Sequence, residues 1–427
     1  MPAIPRDTPG DHSLALLADP YRFIAKRCRA LQSDVFETRL LLRRTLCMTG
    51  PEAAALFYDP QRFQRGGAAP EPLRATLFGK GGVQTLDGDA HRMRKALFMH
   101  ATAPERIASL CDAVAQQWLL SARSWSDGQP VALYDALHPL LTRAVCSWAS
   151  VPLREHEVEP RCRQLTALFD QAAAPGLGHF RSRRARDRVE AWLSRLIDQA
   201  RAGQFELLEH TPMHTVAWHH DADGQLLPPR IAAVELANLL RPTVAVSVFI
   251  VFVAHALHLH PACRERLQQG DPAYLDAFVQ EVRRWYPFFP AVVARVREDF
   301  DWKGYRFPRG RRVMLDLYGT NRDPRSWDDD PEAFAPERFL ARAPPPFGFI
   351  PQGGAQAADH HRCPGEGITV ALMKQAVLFL LRGLRYSVPE QDLTLDFARL
   401  PALPRDRMVI RDVRLVHRRA GATTAGS

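Results

Sequence analysis

Apolar positions along this chain recur mostly at helical spacing, separated by short polar and turn-rich stretches. Helices are expected at 13–31, at 52–58, from near Asp89 onward, and at 104–122, 133–149, 155–174 and 182–202. Residues 35–47, with Leu40-Leu41-Leu42 among them, form a strand candidate. Met48-Thr49-Gly50-Pro51, Pro175-Gly176-Leu177-Gly178 and Asp221-Ala222-Asp223-Gly224 carry turn chemistry, and 59–80 reads as irregular.

The longest apolar pattern runs over 231–260 and is interrupted by Arg241-Pro242. A proline inside a helix costs about 3 kcal/mol or a kink, and here it frees the carbonyl of Asn238. An arginine in such an apolar setting is expensive without an anion. A helix starting at Pro242, with Arg241 in solvent, is the simpler alternative. The stripe Val234, Leu236, Leu239 and Leu240 runs on into Val244, Val246 and Val248, however, so one kinked helix is expected.

At 427 residues, with 46% hydrophobic and 24% charged positions and no Ser/Gly-rich linker, the chain fits one globular unit over 1–427. Seven cysteines without paired spacing point to a reducing compartment. The first residues carry no secretory pattern, so a cytoplasmic protein is expected. The most apolar run, 244–257, falls short of the roughly 20 residues a membrane span needs, so no transmembrane segment is expected. The net charge of +9 and the basic run 181–188 raise the question of nucleic acid. Asp187 interrupts that run and no aromatic platform is interleaved, so a solvated helix face is expected instead. His210, His214, His219 and His220 lack the glutamate of a zinc-hydrolase motif and read as structural.

The candidate chemistry sits near the C-terminus. A Gly-rich polar loop, 352–367, contains Cys363, and 368–381 reads as a mostly buried helix. Cys363 therefore lies just outside a helix N-terminus, with Pro364 in the first turn, and unpaired amides there favour thiolate over thiol. Such a thiolate suits a haem iron as axial ligand. An ordinary buried thiol and a zinc site with His360 and His361 are the alternatives, though no second ligand pair follows for zinc.

His361-x-Cys363-x-Gly365 resembles the haem-ligand signature of the cytochrome P-450 superfamily. Glu281-Val282-Arg283-Arg284 is similar to its Glu-x-x-Arg helix motif, and Pro336-Glu337-Arg338-Phe339 to its meander. The resemblance implies a mainly α fold with small β-sheets, and haem b held between a long central helix and the Cys-ligand loop. Most of the superfamily carries an acid and a threonine in the central helix. Arg241-Pro242 departs from that and is similar to the bacterial fatty-acid peroxygenase branch, as are Leu77-Phe78-Gly79-Lys80 and the stretch Asn238 to Pro242. Members of that branch use hydrogen peroxide, so no obligatory redox partner is implied.

By resemblance, Cys363 ligates iron beside Gly365, and Arg65, His91, Lys95 and Arg295 are candidates for the haem propionates. Lys95 stands where the superfamily usually has arginine, keeping the charge but losing the bidentate fork. Arg241 would hold a fatty-acid carboxylate, which then acts as the general acid–base, while Pro242 shapes the kink. Gln84 leans toward hydroxylation at the alpha or beta carbon, since decarboxylating members carry histidine there. Phe78, Phe169 and Phe289 are candidate lining of an acyl channel, and Glu281, Arg284 and Arg338 a structural network. Decarboxylation to terminal alkenes, a haem sensor or fatty-acid carrier, and a dioxygen-dependent monooxygenase are the competing functions.

Overall fold

The structure is a computed structural model and describes residues 3–125, 128–172, 176–327 and 330–416. Its axis is the 31-residue helix Pro229–Leu259, in which Pro242 sits inside a continuous helix, as the apolar stripe requires. Around it pack the helices Leu177–Arg201, Leu133–Trp148, Glu155–Asp170 and Glu366–Leu378. This helix is long and apolar enough to span a membrane, yet 94% of its most apolar window is buried inside the protein. The helix expected over 231–260 is thus found at 229–259, and its most apolar run, 244–257, is core. Every residue from 232 to 257 is buried except Pro242, which keeps accessible surface in the middle of the run.

A second hydrophobic cluster lies under a five-stranded sheet. Its strands, in spatial order, are Val35–Leu40, Arg43–Met48, Arg312–Asp316, Ala291–Val296 and Phe63–Gln64, with one parallel pairing, between Arg43–Met48 and Arg312–Asp316. Val131–Ala132, Val409–Leu415 and Leu384–Ser387 form a smaller sheet, and Phe300–Trp302 pairs with Tyr305–Phe307. Mainly α with small sheets is the observed class.

Several expectations change in detail, among them the irregular reading of 59–80, which holds helical turns over Glu71–Leu73 and Arg74–Phe78. The helix expected at 13–31 breaks into Ser13–Ala18 and Phe23–Ala30, because Pro20 cannot continue the first one. The strand expected at 35–47 is a hairpin that turns at Leu41-Leu42. The basic run is solvated at Arg181, Arg183, Arg184 and Arg188, but Arg186 points inward and is buried. The end of the helix expected at 155–174 and Pro175 lie outside the described residues; the helix itself closes at Asp170, and the next begins at Leu177 rather than 182, so Leu177-Gly178 are its first turn and not part of the break.

Candidate active site

The loop before the last long helix is fixed from several sides. The Cys363 amide donates to Gln352 O at 3.0 Å, and Gly353 adopts φ 98° where a Cβ would lie 3.0 Å from the Tyr58 hydroxyl. Arg283 donates to Gln352 Oε1 (3.1 Å from Nη2) and to Glu366, tying the loop to the helix Pro272–Trp285. The helix after the loop starts at Glu366 with Gly365 as its cap, so Pro364 precedes the cap rather than sitting in the first turn. Cys363 is half-buried, and Gln352 Nε2 donates to its sulfur at 4.0 Å. Against expectation, its pKa is raised: burial outweighs Gly365, Lys95 and Arg241, which all pull it down.

Across from the loop stands Arg241. It is 8% exposed, its Nε has no partner, and it makes no hydrogen bond or ion pair with the described residues. Burial pushes its pKa down to about 9, the nearby Arg186 adds to this, and the Cys363 sulfur is the one group that offsets it. The Arg241 and Cys363 side chains therefore act on each other electrostatically.

Gln84 lies on a short turn, Val83–Thr85, and its Oε1 accepts from Asn238 Nδ2 at 3.3 Å. Asn238 also donates to Phe78 O (3.0 Å) and to Glu235 Oε2 (3.2 Å). Glu235 is fully buried and receives the Val83 N–H (2.9 Å) and Arg94 Nη1 (2.8 Å). This network joins the Phe78–Thr85 segment to the central helix one turn before Arg241. Arg94, Glu235 and Arg186 were not singled out from the sequence. Glu235 inside a long apolar run was the available signal, because a buried acid must find a cation.

Lys95 and His91 are buried on one face of the helix Gly88–Ala101 rather than solvated. Lys95 Nζ donates to His360 O (3.0 Å) and Arg362 O (2.6 Å), and burial lowers its pKa to about 8. His91 stacks on His361 with ring centroids 4.0 Å apart. Arg65 donates to Val293 O (3.1 Å) beneath the Phe57 and Tyr58 rings, and burial lowers its pKa to about 10. Arg295 is more open and bonds to Gly310 O at 3.3 Å. Phe78 and Phe289 are half-buried, whereas Phe169 is packed in the core against His138.

These residues fit a haem. Arg65 and Lys95 are cations in one region whose side chains bond to backbone carbonyls, Val293 O for Arg65 and His360 O and Arg362 O for Lys95, while Glu366 is already paired with Arg283 and Arg362. A group bringing two carboxylates and needing one sulfur ligand suits such cations. Among the described residues no three His, Cys, Asp or Glu side chains are placed to hold a metal ion, which leaves the zinc alternative without a site.

The sequence model described as Cytochrome P450 matches residues 268–406. The chain superimposes on a variant of Cytochrome P450SP alpha (CYP152B1) with a TM-score of 0.94 and 49% identity, covering 96% of this chain and all of that one. The chain belongs to the cytochrome P450 family. Wild-type P450EX alpha (CYP152N1) with myristic acid gives a TM-score of 0.94 at 41% identity, over 97% of this chain and 100% of that one. A variant of cytochrome P450 OleT in complex with arachidonic acid gives 0.94 at 34%, over 98% and 100%. Among curated relatives, the putative cytochrome P450 120 of Synechocystis sp. is 25% identical over 94% of this chain and 96% of its own. Cytochrome P450 84A4 of Arabidopsis thaliana is 34% identical, but the match spans only 23% of that protein and 27% of this chain. As in the P450 family generally, haem is the cofactor.

The P450 brace is also in place. Glu281 accepts from Arg284 Nε (2.6 Å), Arg284 Nη2 (2.7 Å) and the Ala335 amide (2.8 Å), and Arg338 Nε lies 3.4 Å away. Arg284 also donates to Pro331 O and Ala333 O, both at 2.8 Å. All three side chains are buried, and the meander they hold is joined to the Cys363 loop through Ile350 N and Asn321 Oδ1 at 2.7 Å.

Proposed function

We propose that this chain is a hydrogen-peroxide-dependent fatty-acid hydroxylase, acting at the alpha or beta carbon of a long-chain acid without a separate electron donor. The observation that carries this reading is the buried, unpartnered guanidinium of Arg241, next to the accessible Pro242 in an otherwise sealed helix. A buried cation with no anion is a binding site for one, and a guanidinium receives a carboxylate on two parallel N–H donors. Neighbouring structures were solved with myristic acid and arachidonic acid, which have that head group.

Haem bound through Cys363 would supply the oxidising chemistry, with peroxide giving one oxygen to the substrate and leaving as water. Arg241 orients the acid by its head group, so that the carbons next to the carboxyl lie nearest the reaction. The central helix offers no acid beside Arg241, and the bound carboxylate takes the proton of peroxide on one oxygen and returns it to the departing oxygen. Gln84 stays neutral at any working pH, and Asn238 holds its amide oxygen, so it orients without exchanging a proton. Lys95, bonded to two carbonyls of the Cys363 loop, fixes that loop. Phe78 and Phe289 line the acyl path, and Arg65, with Arg295, meets the haem carboxylates.

The test is turnover with peroxide alone, with no reductase present, comparing myristate with the matched alcohol. Hydroxy acid from myristate and none from the alcohol is expected. A dominant terminal alkene would select decarboxylation, and no product from either would favour a carrier or sensor.

A further inference from the structure

The tip of the β-hairpin is built against the usual rules for a surface that faces water. Only Leu41 and Leu42 join Val35–Leu40 to Arg43–Met48, and both have positive φ, 51° and 60°. Two-residue loops with that backbone favour Asn-Gly, because a left-handed conformation costs roughly 1–2 kcal/mol for a residue with a Cβ. Here the two are leucines, 54% and 81% exposed.

The tip is held firmly. The Leu41 N–H donates to Ser13 Oγ (2.7 Å), the Leu42 N–H to Asp11 Oδ2 (2.6 Å), and the His12 N–H to Arg39 O (2.9 Å). These bonds set the start of the helix Ser13–Ala18 against the turn. Leu14 and Leu17, three apart and so on one face of that helix, are 81% and 42% exposed. The two exposed leucine pairs are thus carried by elements that these bonds tie to each other.

Arginines surround them. Arg39 is directly opposite Arg44 in the ladder, a like-charge pair that weakens a hairpin, and Arg43 follows the turn. All three are exposed, and Glu37 is shared among Arg6, Arg44 and Arg311. Apolar exposure and arginine crowding both cost free energy in water. Both are relieved where an apolar medium lies beneath a layer of anions, and the strained turn fits leucines kept for what they touch.

We propose that the Leu41-Leu42 turn, together with Leu14 and Leu17, inserts shallowly into an anionic lipid bilayer surface, with Arg39 and Arg43 meeting the headgroup phosphates. The contact is peripheral, and it stands whether or not the proposed reaction does. A bilayer is also where long-chain acids collect, so it places the protein at a source of apolar substrate.

Sedimentation of the haem-loaded full chain with vesicles tests this, using phosphatidylcholine alone and phosphatidylcholine mixed with phosphatidylglycerol. The protein should pellet with the mixed vesicles and be released by salt. Leu41→Asn/Leu42→Gly suits the turn and should keep the hairpin, with thermal unfolding at or above that of the parent, while lowering partitioning by about tenfold. Leu14→Ser/Leu17→Ser should lower it without touching the turn, and Arg39→Gln/Arg43→Gln should remove the preference for anionic vesicles. The proposal is overturned if the parent binds mixed vesicles no better than neutral ones, or if both leucine variants bind like the parent. It is equally overturned if light scattering shows the leucine substitutions splitting a dimer, which would make the tip a self-association surface.

Discussion

Replacing Glu281 by glutamine keeps the side-chain shape and removes one charge from a place where water cannot compensate. Glu281 and Arg284 are both fully buried, and the carboxylate takes two charge-assisted bonds from Arg284 and one from the Ala335 amide. After the change, Arg284 keeps one neutral amide oxygen at 281 and the carbonyls of Asn321, Pro331 and Ala333 as acceptors, meets an NH2 donor where the second carboxylate oxygen stood, and has no negative charge beside it. Breaking a buried pair from one side costs about 3–5 kcal/mol, because the remaining cation stays desolvated. That loss falls on the segment 321–338, which Arg284 and Arg338 stitch to the helix, and reaches the Cys363 loop through Asn321 and Ile350. Urea unfolding should register the destabilisation. Gel filtration should show haem lost from the folded fraction, and the carbon monoxide difference spectrum of the reduced protein should lose its thiolate-ligated band. A Glu281→Gln protein within about 1 kcal/mol of the parent, with haem and spectrum intact, would refute the view that this pair braces the ligand loop.

Two further changes probe the surroundings. Burial holds the Asp316 carboxyl up at about 7, against the Gly319 N–H and Thr49 hydroxyl that pull it down. The folded chain thus binds that proton more tightly than the unfolded one, so the stability it adds is complete below about pH 4 and is lost as pH rises through about 7, up to about 4 kcal/mol. Asp316→Asn should flatten the parent's fall in stability between about pH 4 and 7, read by urea unfolding; an unchanged slope would contradict this. Gly79 has φ 79°, and a Cβ there would lie 1.9 Å from Arg186 Nη2 and 2.7 Å from Val234 Cγ1. Gly79→Ala should cost about 2 kcal/mol or more and change the product distribution, by moving the Phe78–Gln84 segment off the central helix.

The pattern of apolar residues was enough to find the central helix, its continuity through Pro242 and the helix behind Cys363, because those signals are long and periodic. It failed at Leu40-Leu41-Leu42, where a turn is made of apolar residues with no turn chemistry. The motif residues Glu281, Arg284 and Arg338 meet as expected, because close spacing and chain order constrain them. Arg94, Arg186 and Glu235 escaped notice because their meaning lies in partners far along the chain: Arg94 with Asp221 and Glu235, and Arg186 with the carbonyl of Phe78. Lys95 was read as facing a cofactor carboxylate, and its bonds to His360 O and Arg362 O add a role in the ligand loop that sequence spacing cannot express. The protonation of Cys363 depended on depth, which a local motif does not report.

The central claim is that Arg241 recruits the substrate's own carboxylate, and kcat/KM for myristate with peroxide in Arg241→Ala tests it most directly. Haem loading should stay at the parent level, since Arg241 makes no bond to the ligand loop among the described residues. Losing a buried cation that meets a carboxylate costs about 2–4 kcal/mol, so kcat/KM should fall by about 30- to 1,000-fold. A haem-loaded Arg241→Ala protein whose kcat/KM stays within about threefold of the parent would contradict the claim.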